Sequence, residues 1–194
     1  MEKVSIGPAN SFCPQALFLY GTYKDDGTPN FGMFTWFSYC WDSQMGVMAS
    51  IGGSKLTIDR IRANKVFSAN LVTEPLLPLA DYLGNNAGYT TPWKMDIPIE
   101  IERGLVLPVP VLKDSPWVFE LEVDRSIPLE GNEVFLCKMR NVLVARELTD
   151  ETKSAEERLK GIAPVIWIGK GPYFSVNPVA LGAAGDWKDL YKKG

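Results

Sequence analysis

Apolar residues in the first third of the chain recur in short runs that turn residues separate. Residues 15–23 (QALFLYGTY) are apolar on both faces, which predicts a buried strand. Residues 31–39 are rich in aromatic side chains and residues 45–51 are largely apolar, and both segments predict further strands. Turns at residues 24–29, which contain Asp-Gly, and at residues 41–44 keep the connections short, which favours an antiparallel meander.

The pattern changes to a helical one after the third predicted strand. Residues 55–64 carry apolar side chains on one side with basic residues between them, which predicts a helix. Residues 66–73 return to a strand pattern. Thr73 is then the expected N-cap of a short helix, and Gly84 the expected residue just beyond its end.

The second half of the chain alternates more clearly. Residues 117–123 place Trp117, Phe119, Leu121 and Val123 on one face and acidic residues, Glu120 among them, on the other, which predicts a half-exposed strand. The remaining segments are predicted as an irregular loop (85–98), a stretch broken by prolines (99–110), a turn (128–132), a long strand (133–146), a short charged helix or loop (152–160), a short strand (164–168) and a tail (173–194).

About seven strands and three short helices result, and the helices do not alternate regularly with the strands as a doubly wound sheet requires. The prediction is therefore a mainly β fold, an antiparallel barrel that is closed or nearly closed, with a few short peripheral helices. We expect residues 1–194 to form a single domain with a core at about 14–173 and a C-terminal tail at 174–194.

Composition and charge remove several classes of function. The net charge of -3 argues against a nucleic-acid interface, which requires a basic face. No apolar run approaches the roughly 18 residues needed to span a membrane. The N-terminal residues lack a basic segment followed by an apolar one, so we expect no secretory signal and a cytoplasmic location.

The reactive side chains narrow the chemistry further. Cys13, Cys40 and Cys137 are widely spaced, and we expect them to be free thiols in packing positions, with no metal site. The chain contains no histidine, which excludes a Ser-His-Asp or Cys-His nucleophile and disfavours zinc. Chemistry, if the protein performs any, must then depend on a bound cofactor.

The segment from residue 45 to residue 64 is the strongest candidate for binding an anion. Gly52 and Gly53 precede a helix N-terminus, where free backbone N–H groups and the helix dipole attract phosphate. Ser54, Lys55 and Thr57 add two hydroxyls and a cation. The structural alternative stays open, because Ser54 is also an ordinary N-cap residue and Gly-Gly is a common turn.

An aromatic run precedes this segment, and it has two interpretations. Its aromatic side chains at residues 31–41 fit an ordinary hydrophobic core. The interleaved polar residues Asn30, Thr35 and Ser38 also fit the wall of a site for a flat heteroaromatic ligand, which needs apolar surface and a few fixed polar groups.

The order of these motifs resembles the flavin reductase-like, FMN-binding split-barrel family, including its flavoredoxin-type members. The resemblance extends over roughly residues 14–173 and is carried by the order and spacing of several short motifs. These are residues 21–22 (GT), 26–30 (DGTPN), 35–39 (TWFSY), 45–50 (MGVMAS), 54–57 (SKLT), 67–70 (FSAN), 94–96 (KMD), 119–121 (FEL) and the strand at 132–144.

The resemblance implies a homodimer of split barrels with FMN near the dimer interface. It implies that Ser54, Lys55 and Thr57 hold the phosphate, and that a loop at residues 88–94, ending at Lys94, closes over the flavin. The residues that it assigns to the isoalloxazine ring are Asn30, Met33, Phe34, Thr35, Trp36, Ser50 and Ile51. It identifies no catalytic side chain, and Lys94 and Thr35 are the best candidates for contacts near the reacting edge of the ring.

The function that the resemblance implies is an FMN-binding oxidoreductase, a flavin reductase that takes electrons from NADH or NADPH. The alternative is a flavoredoxin-like electron carrier without a productive nicotinamide site. Residues 131–133 (Gly-Asn-Glu) stand where many relatives have an acidic residue and a histidine. This difference argues against efficient oxidation of NADH or NADPH. It does not affect flavin binding, which requires no imidazole. A third possibility is a barrel that holds haem or a phosphorylated pyridine.

Overall fold

Short antiparallel strands dominate the fold, as the alternating and aromatic-rich segments predict. The computed structural model describes residues 1–11, 13–169, 171–184 and 186. The strands in this part are β1 (Gln15–Ala16), β2 (Phe18–Tyr23), β3 (Pro29–Phe34), β4 (Phe37–Trp41), β5 (Met45–Gly52), β6 (Val66–Leu71), β7 (Ile101–Arg103), β8 (Pro110–Leu112), β9 (Trp117–Leu129), β10 (Asn132–Val144), β11 (Val165–Trp167) and β12 (Tyr173–Ser175).

The helices are short and lie outside the large sheet. The α-helices are α1 (Leu56–Asn64), α2 (Leu77–Asn85) and α3 (Ala155–Ile162), and 3-10 helices span Pro92–Met95 and Arg146–Thr149. α3 begins with a capping box, in which Ser154 and Glu157 each accept the other's backbone N–H. Within the described residues, no helix has the length and apolar character needed to cross a membrane.

Seven strands form one antiparallel sheet in the order β3-β2-β6-β9-β10-β5-β4. Its two edge strands, β3 and β4, follow one another in the chain, and the described residues show no ladder between them. The sheet is therefore a barrel left open along one seam. The prediction of a mainly β, antiparallel split barrel with short peripheral helices is confirmed.

The sheet encloses one hydrophobic core, and a second core lies on the outside of β2 and β3. Phe18 and Tyr20 of β2 point into the first core, where the Tyr20 and Phe34 rings stack with centroids 4.7 Å apart. Leu17 and Leu19 point into the second core, which α2 and β8 cover. β2 is thus buried on both faces, as its continuous apolar sequence predicts.

The strand predicted over residues 31–39 is two strands. β3 pairs with β2 and β4 pairs with β5, so the chain leaves one edge of the sheet and enters the other within two residues, Thr35 and Trp36. Aromatic composition cannot reveal this break, because each half has the residues of a normal strand. The break forms the seam of the barrel.

The helix predicted to begin at Thr73 begins later, at Leu77, and Gly84 lies inside its last turn. Thr73 forms an isolated β-bridge with Pro164, so its backbone is engaged in strand pairing and cannot cap the helix. Pro78 occupies the first turn of α2, where its missing N–H removes no helical hydrogen bond.

The proline-rich stretch of residues 99–110 forms most of a small hairpin, β7 with β8, that the sequence analysis did not predict. Buried polar side chains hold this hairpin to the barrel. Ser68 Oγ donates to Pro110 O at 2.5 Å, and Asn70 Oδ1 accepts from Leu112 N at 2.9 Å. Ser68 and Asn70, part of one of the family motifs, thus have a structural role.

Glu120 was predicted on the exposed face of its strand, and that prediction is wrong: its side chain is fully buried. Its carboxylate accepts the N–H groups of Leu105, Val106 and Leu107 at 2.5–2.9 Å and the side-chain amide of Asn141 at 3.0 Å. Burial alone would raise the pKa of Glu120, but these hydrogen bonds outweigh it and hold the pKa below its usual value.

The start of the predicted tail is ordered, because β12 adds to β11 and completes a small sheet with β1. Residues 176–184 are irregular. Residue 185 and residues 187–194 of the predicted tail lie outside the described residues. The single domain over residues 1–194 stays a prediction.

We predict that Glu120→Gln destabilises the protein by about 2 kcal/mol, because an amide has one acceptor oxygen for the hydrogen bonds that the carboxylate accepts. Urea unfolding at about pH 7, followed by circular dichroism, measures the change. Glu130→Gln, at an exposed turn position, is the matched control. Equal stabilities of the two variants would contradict the anchoring role.

Candidate functional site

A small cavity of about 110 Å³ lies between β3, the N-terminus of α1 and the loop that follows α2. The predicted site residues that line it are Met33, Phe34, Ser54, Lys55, Thr57 and Lys94. Three separate segments of the chain thus bring both predicted lysines and two predicted hydroxyl groups to one place.

The N-terminus of α1 opens into this cavity without a side-chain cap. The N-cap residue is Lys55, in an extended conformation, and not Ser54 as the structural alternative suggested. No side chain of the described residues caps this end, and the N–H groups of Leu56 and Thr57 have no acceptor among those residues. They remain available together with the positive end of the helix dipole. These groups favour an anionic ligand.

Lys94 supplies a buried positive charge. Its side chain is only 4% exposed, and its Nζ donates to Phe31 O at 2.6 Å on the outer edge of β3. An ammonium has three N–H donors, so two have no acceptor among the described residues. No carboxylate among the described residues forms an ion pair with it. Burial first, and then the charges of Lys55 and Lys24, lower the pKa of Lys94 to about 8.

Asn30 and Thr57 connect β3 to α1 behind the cavity wall. Asn30 Nδ2 donates to Thr57 Oγ1 at 3.1 Å, so the Thr57 hydroxyl is free to donate its own proton elsewhere. Asn30 Oδ1 is buried and has no hydrogen-bond partner in the described structure. A buried orphan acceptor is costly, which marks this place as one where a polar partner is missing.

Two glycines that the sequence analysis missed allow this close packing. A Cβ on Gly32 would lie 3.0 Å from Thr57 Oγ1, and a Cβ on Gly88 would lie 2.8 Å from Leu56 Cδ2 and 3.0 Å from Asn30 Oδ1. A glycine inside an apolar strand signals a close approach, so Gly32 could have been found from the sequence.

A larger cleft of about 400 Å³ adjoins the cavity. Met33 and Phe34 line both, as do Gly84 and Asn85 at the end of α2, so the two spaces are adjacent. The predicted site residues in the cleft are Met33, Phe34, Thr35, Trp36 and Ser50. Trp167 and Tyr173, from β11 and β12, also line it and were not predicted.

Hydrogen bonds fix the seam where the cleft lies. Trp36 O accepts from Ser50 N at 2.9 Å, and Asn132 Nδ2 donates to Ser50 Oγ at 2.9 Å. The Trp36 ring lies against Gly52, where an added Cβ would be 3.8 Å from Trp36 Cζ3. The cleft therefore has an aromatic wall with a few fixed polar groups.

Not every predicted residue faces these spaces. The Ile51 side chain is fully buried in the core, so only its backbone could meet a ligand, and Asn30 lies behind Thr57. Lys94 and Thr35 do not lie together at one ring edge, because Lys94 lines the small cavity and Thr35 lines the larger cleft. The Lys94 loop does cover the small cavity, and Tyr89 of that loop donates to Asp59 of α1.

Comparison with known protein families identifies the chain. The family model described as "Flavin reductase like domain" matches residues 10–172. The chain belongs to this family. The resemblance inferred from the order of the motifs is thereby confirmed. No curated protein sequence matches the chain.

Solved structures show the same fold. The flavoredoxin from Methanosarcina acetivorans superposes with a TM-score of 0.84 at 20% identity, covering 98% of this chain and 100% of that one. The flavoredoxin of Desulfovibrio vulgaris (Miyazaki F) gives 0.84 at 22% identity, covering 95% and 98%. An FMN-binding protein from Thermus thermophilus gives 0.74 at 17% identity, covering 94% and 99%.

We predict that Lys94 makes the stability of the ligand-free protein depend on pH. Its pKa is lower in the folded protein than the usual lysine value of 10.5, so the unfolded chain binds more protons between about pH 8 and pH 10.5. The contribution of Lys94 to the free energy of unfolding therefore rises with pH across that range, and is lost as the pH falls through about 8.

Urea unfolding of the wild-type protein and Lys94→Met at about pH 7 and about pH 9.5 measures this contribution. The difference in free energy of unfolding, wild type minus variant, should grow at the higher pH. Lys160→Met, at an exposed position of α3, controls for loss of a positive charge. A difference that stays constant would contradict the burial of a charged, unpaired Lys94.

Proposed function

We propose that this protein binds FMN and acts as an oxidoreductase. The phosphate would occupy the cavity of Lys55, Thr57 and Lys94, and the isoalloxazine ring would occupy the cleft beside Trp36. The single observation that supports this proposal most strongly is the buried ammonium of Lys94, which has no carboxylate partner in the described structure and lines a cavity with a second lysine. A buried charge without a partner is costly, and a bound dianion would compensate it.

The residues present fit this cofactor at both ends. The uncapped N-terminus of α1, the Thr57 hydroxyl and the two lysines offer donors and positive charge to a phosphate. Trp36 and Phe34 offer aromatic surface to a flat ring, and Thr35 and Ser50 offer polar contacts.

The protein's part in the chemistry is positioning and electrostatics. A bound flavin supplies the redox chemistry itself, since its ring accepts and returns electrons. Lys55 and Lys94 would neutralise the phosphate charge and hold the cofactor in one position. The side chains of Met33, Phe34 and Trp36 would exclude water from one face of the ring. With no histidine in the chain, a proton that accompanies the electrons must come from water or from another side chain.

We propose NADH or NADPH as the electron donor, which makes the protein a flavin reductase. The second candidate is a flavoredoxin-like electron carrier without a productive nicotinamide site. The absence of histidine, and residues 131–133 (Gly-Asn-Glu) in the position where many relatives have an acidic residue and a histidine, favour this second candidate. Both candidates require the same FMN site.

We also propose that the protein is a homodimer in the cytoplasm. An apolar patch on the outer face of the sheet, next to the cleft, supports the dimer: Met48, Ile127 and Leu129 are 40–52% exposed, and Trp36 is 44% exposed. Exposed apolar patches next to a ligand site commonly mark subunit interfaces. Sedimentation of the FMN-loaded protein tests this proposal, and a monomer that keeps FMN bound would contradict it.

We predict that Lys55→Ala combined with Thr57→Ala weakens FMN binding at least tenfold, because each charge-assisted hydrogen bond contributes on the order of 1.5–3 kcal/mol. Titration of flavin fluorescence measures the dissociation constant. The matched control is Lys153→Ala with Thr152→Ala, a lysine and a threonine that line neither cavity. Unchanged FMN affinity in the first double variant would refute the phosphate site.

Anaerobic mixing of the FMN-loaded protein with NADH or NADPH separates the two candidate functions. A reductase should lose its visible flavin absorbance within seconds, because the ring is reduced. Reduction by dithionite under the same conditions shows that the bound flavin is redox-active. Persistent yellow colour with both nucleotides, together with bleaching by dithionite, would identify the carrier and exclude the reductase.

A further inference from the structure

Asn132 and Ser50 form a polar pair on the outer face of the large sheet, beside the larger cleft. β10 pairs with β5 so that Asn132 lies opposite Gly52 and Val134 lies opposite Ser50, which makes Asn132 and Ser50 diagonal neighbours on one face. Gly52 has no side chain, so it leaves room for the Asn132 amide to reach Ser50. Asn132 Nδ2 donates to Ser50 Oγ at 2.9 Å.

A second hydrogen bond fixes the orientation of the Asn132 amide. Its Oδ1 accepts from Glu133 N at 2.7 Å. A backbone N–H can only donate, so the amide oxygen faces it and the amide nitrogen faces Ser50. The Glu133 side chain does not compete for these groups, because it is buried and its carboxylate accepts from Arg62 Nε at 2.6 Å.

The Asn132 amide determines what the Ser50 hydroxyl can do. A hydroxyl has one proton and two lone pairs, and one lone pair of Ser50 accepts from Asn132. No group among the described residues accepts the Ser50 proton, and Ser50 lines the larger cleft. The Ser50 backbone is fixed as well, because its N–H donates to Trp36 O at 2.9 Å. Ser50 is therefore held as a hydrogen-bond donor at the cleft.

We infer that Asn132 positions Ser50 to donate a hydrogen bond to a carbonyl oxygen of the flavin ring, and that this bond favours the reduced cofactor over the oxidised one. The inference rests on the proposed function, which assigns the ring to this cleft. Asn132 is a positioning residue, because it acts through Ser50.

The chemistry of the ring selects the carbonyl oxygen as the acceptor. A carbonyl oxygen accepts hydrogen bonds in both oxidation states, whereas a ring nitrogen that takes up a proton on reduction becomes a donor. A Ser50 proton that Asn132 holds in place suits only the carbonyl. Reduction makes the ring richer in electrons, and a donor binds an electron-rich oxygen more strongly.

The midpoint potential of bound FMN, compared with that of free FMN, tests the inference. The comparison gives the ratio of the dissociation constants of oxidised and reduced FMN, and anaerobic equilibration of the FMN-saturated protein with a reference dye measures it. We expect Ser50→Ala to lower this ratio about fivefold, which lowers the potential by about 20 mV for a two-electron couple. Ser43→Ala, at an exposed position that lines neither space, is the matched control. An unchanged or increased ratio in Ser50→Ala would overturn the inference.

Asn132→Leu tests the positioning role. Leucine is similar in size and donates no hydrogen bond, so the Ser50 hydroxyl is free to turn away from the cleft. We expect the ratio to fall at least about twofold in the wild-type background and to stay unchanged in the Ser50→Ala background, because Asn132 acts through Ser50. No change in the wild-type background, or equal changes in both backgrounds, would contradict the positioning role.

Two further variants keep the test decisive. Ser50→Thr retains a hydroxyl and should keep the wild-type ratio within about twofold. A loss in Ser50→Thr as large as that in Ser50→Ala would overturn the inference. If Ser50→Ala does not fold, Ser50→Cys replaces it, because a thiol is a weak donor and should lower the ratio in the same direction.

A separate titration distinguishes failure of this inference from failure of the proposed function. Flavin fluorescence measures the affinity of the wild-type protein for oxidised FMN. If the wild-type protein binds FMN and Ser50→Ala leaves the ratio unchanged, the proposed function stands and the inference fails. If the wild-type protein does not bind FMN, both fail.

Discussion

The seam of the open barrel is the constraint on which the candidate site depends. β3 and β4 are the two edges of one sheet, and the described residues form no ladder between them although only Thr35 and Trp36 join the two strands, so the barrel is open there. Sheet edges present unpaired backbone groups that need partners. Lys94 donates to the edge of β3 at Phe31, and Ser50 donates to Trp36 at the start of the other edge. These contacts turn an exposed seam into the wall of two adjacent cavities.

The small cavity at this seam contains two lysines, whereas the described residues that line the larger cleft are uncharged. This difference indicates what kind of molecule fits the two spaces. Taking a lysine out of water without a carboxylate partner is unfavourable, and its lowered pKa is the direct sign of that cost. If no ligand bound here, we would expect Lys94 either to form an ion pair with a carboxylate or to be exposed to solvent. The neutral, aromatic cleft next to it fits an uncharged ring. A ligand with a phosphate at one end and a flat ring at the other matches both parts, and FMN is such a ligand.

Buried polar groups elsewhere hold elements that hydrophobic packing alone would not fix. Glu120, Ser68 and Asn70 attach the β7–β8 region to the barrel through hydrogen bonds to backbone groups. A carboxylate that accepts several backbone N–H groups specifies one geometry, which an apolar contact cannot do.

The sequence by itself determined the class of fold and the family, and most of the residues that it predicted for the site line the two spaces. Alternation and aromatic content predicted the strands because these patterns reflect local burial. The glycine, serine and lysine before α1 marked a candidate anion site because a helix N-terminus is a local feature. The tertiary structure alone decided the break at Thr35 and Trp36, the burial of Glu120, and the meeting of Lys94 with Lys55. It also alone brought Trp167 and Tyr173 to the cleft. Each of these depends on contacts between residues far apart in the chain, and local periodicity carries no information about such contacts.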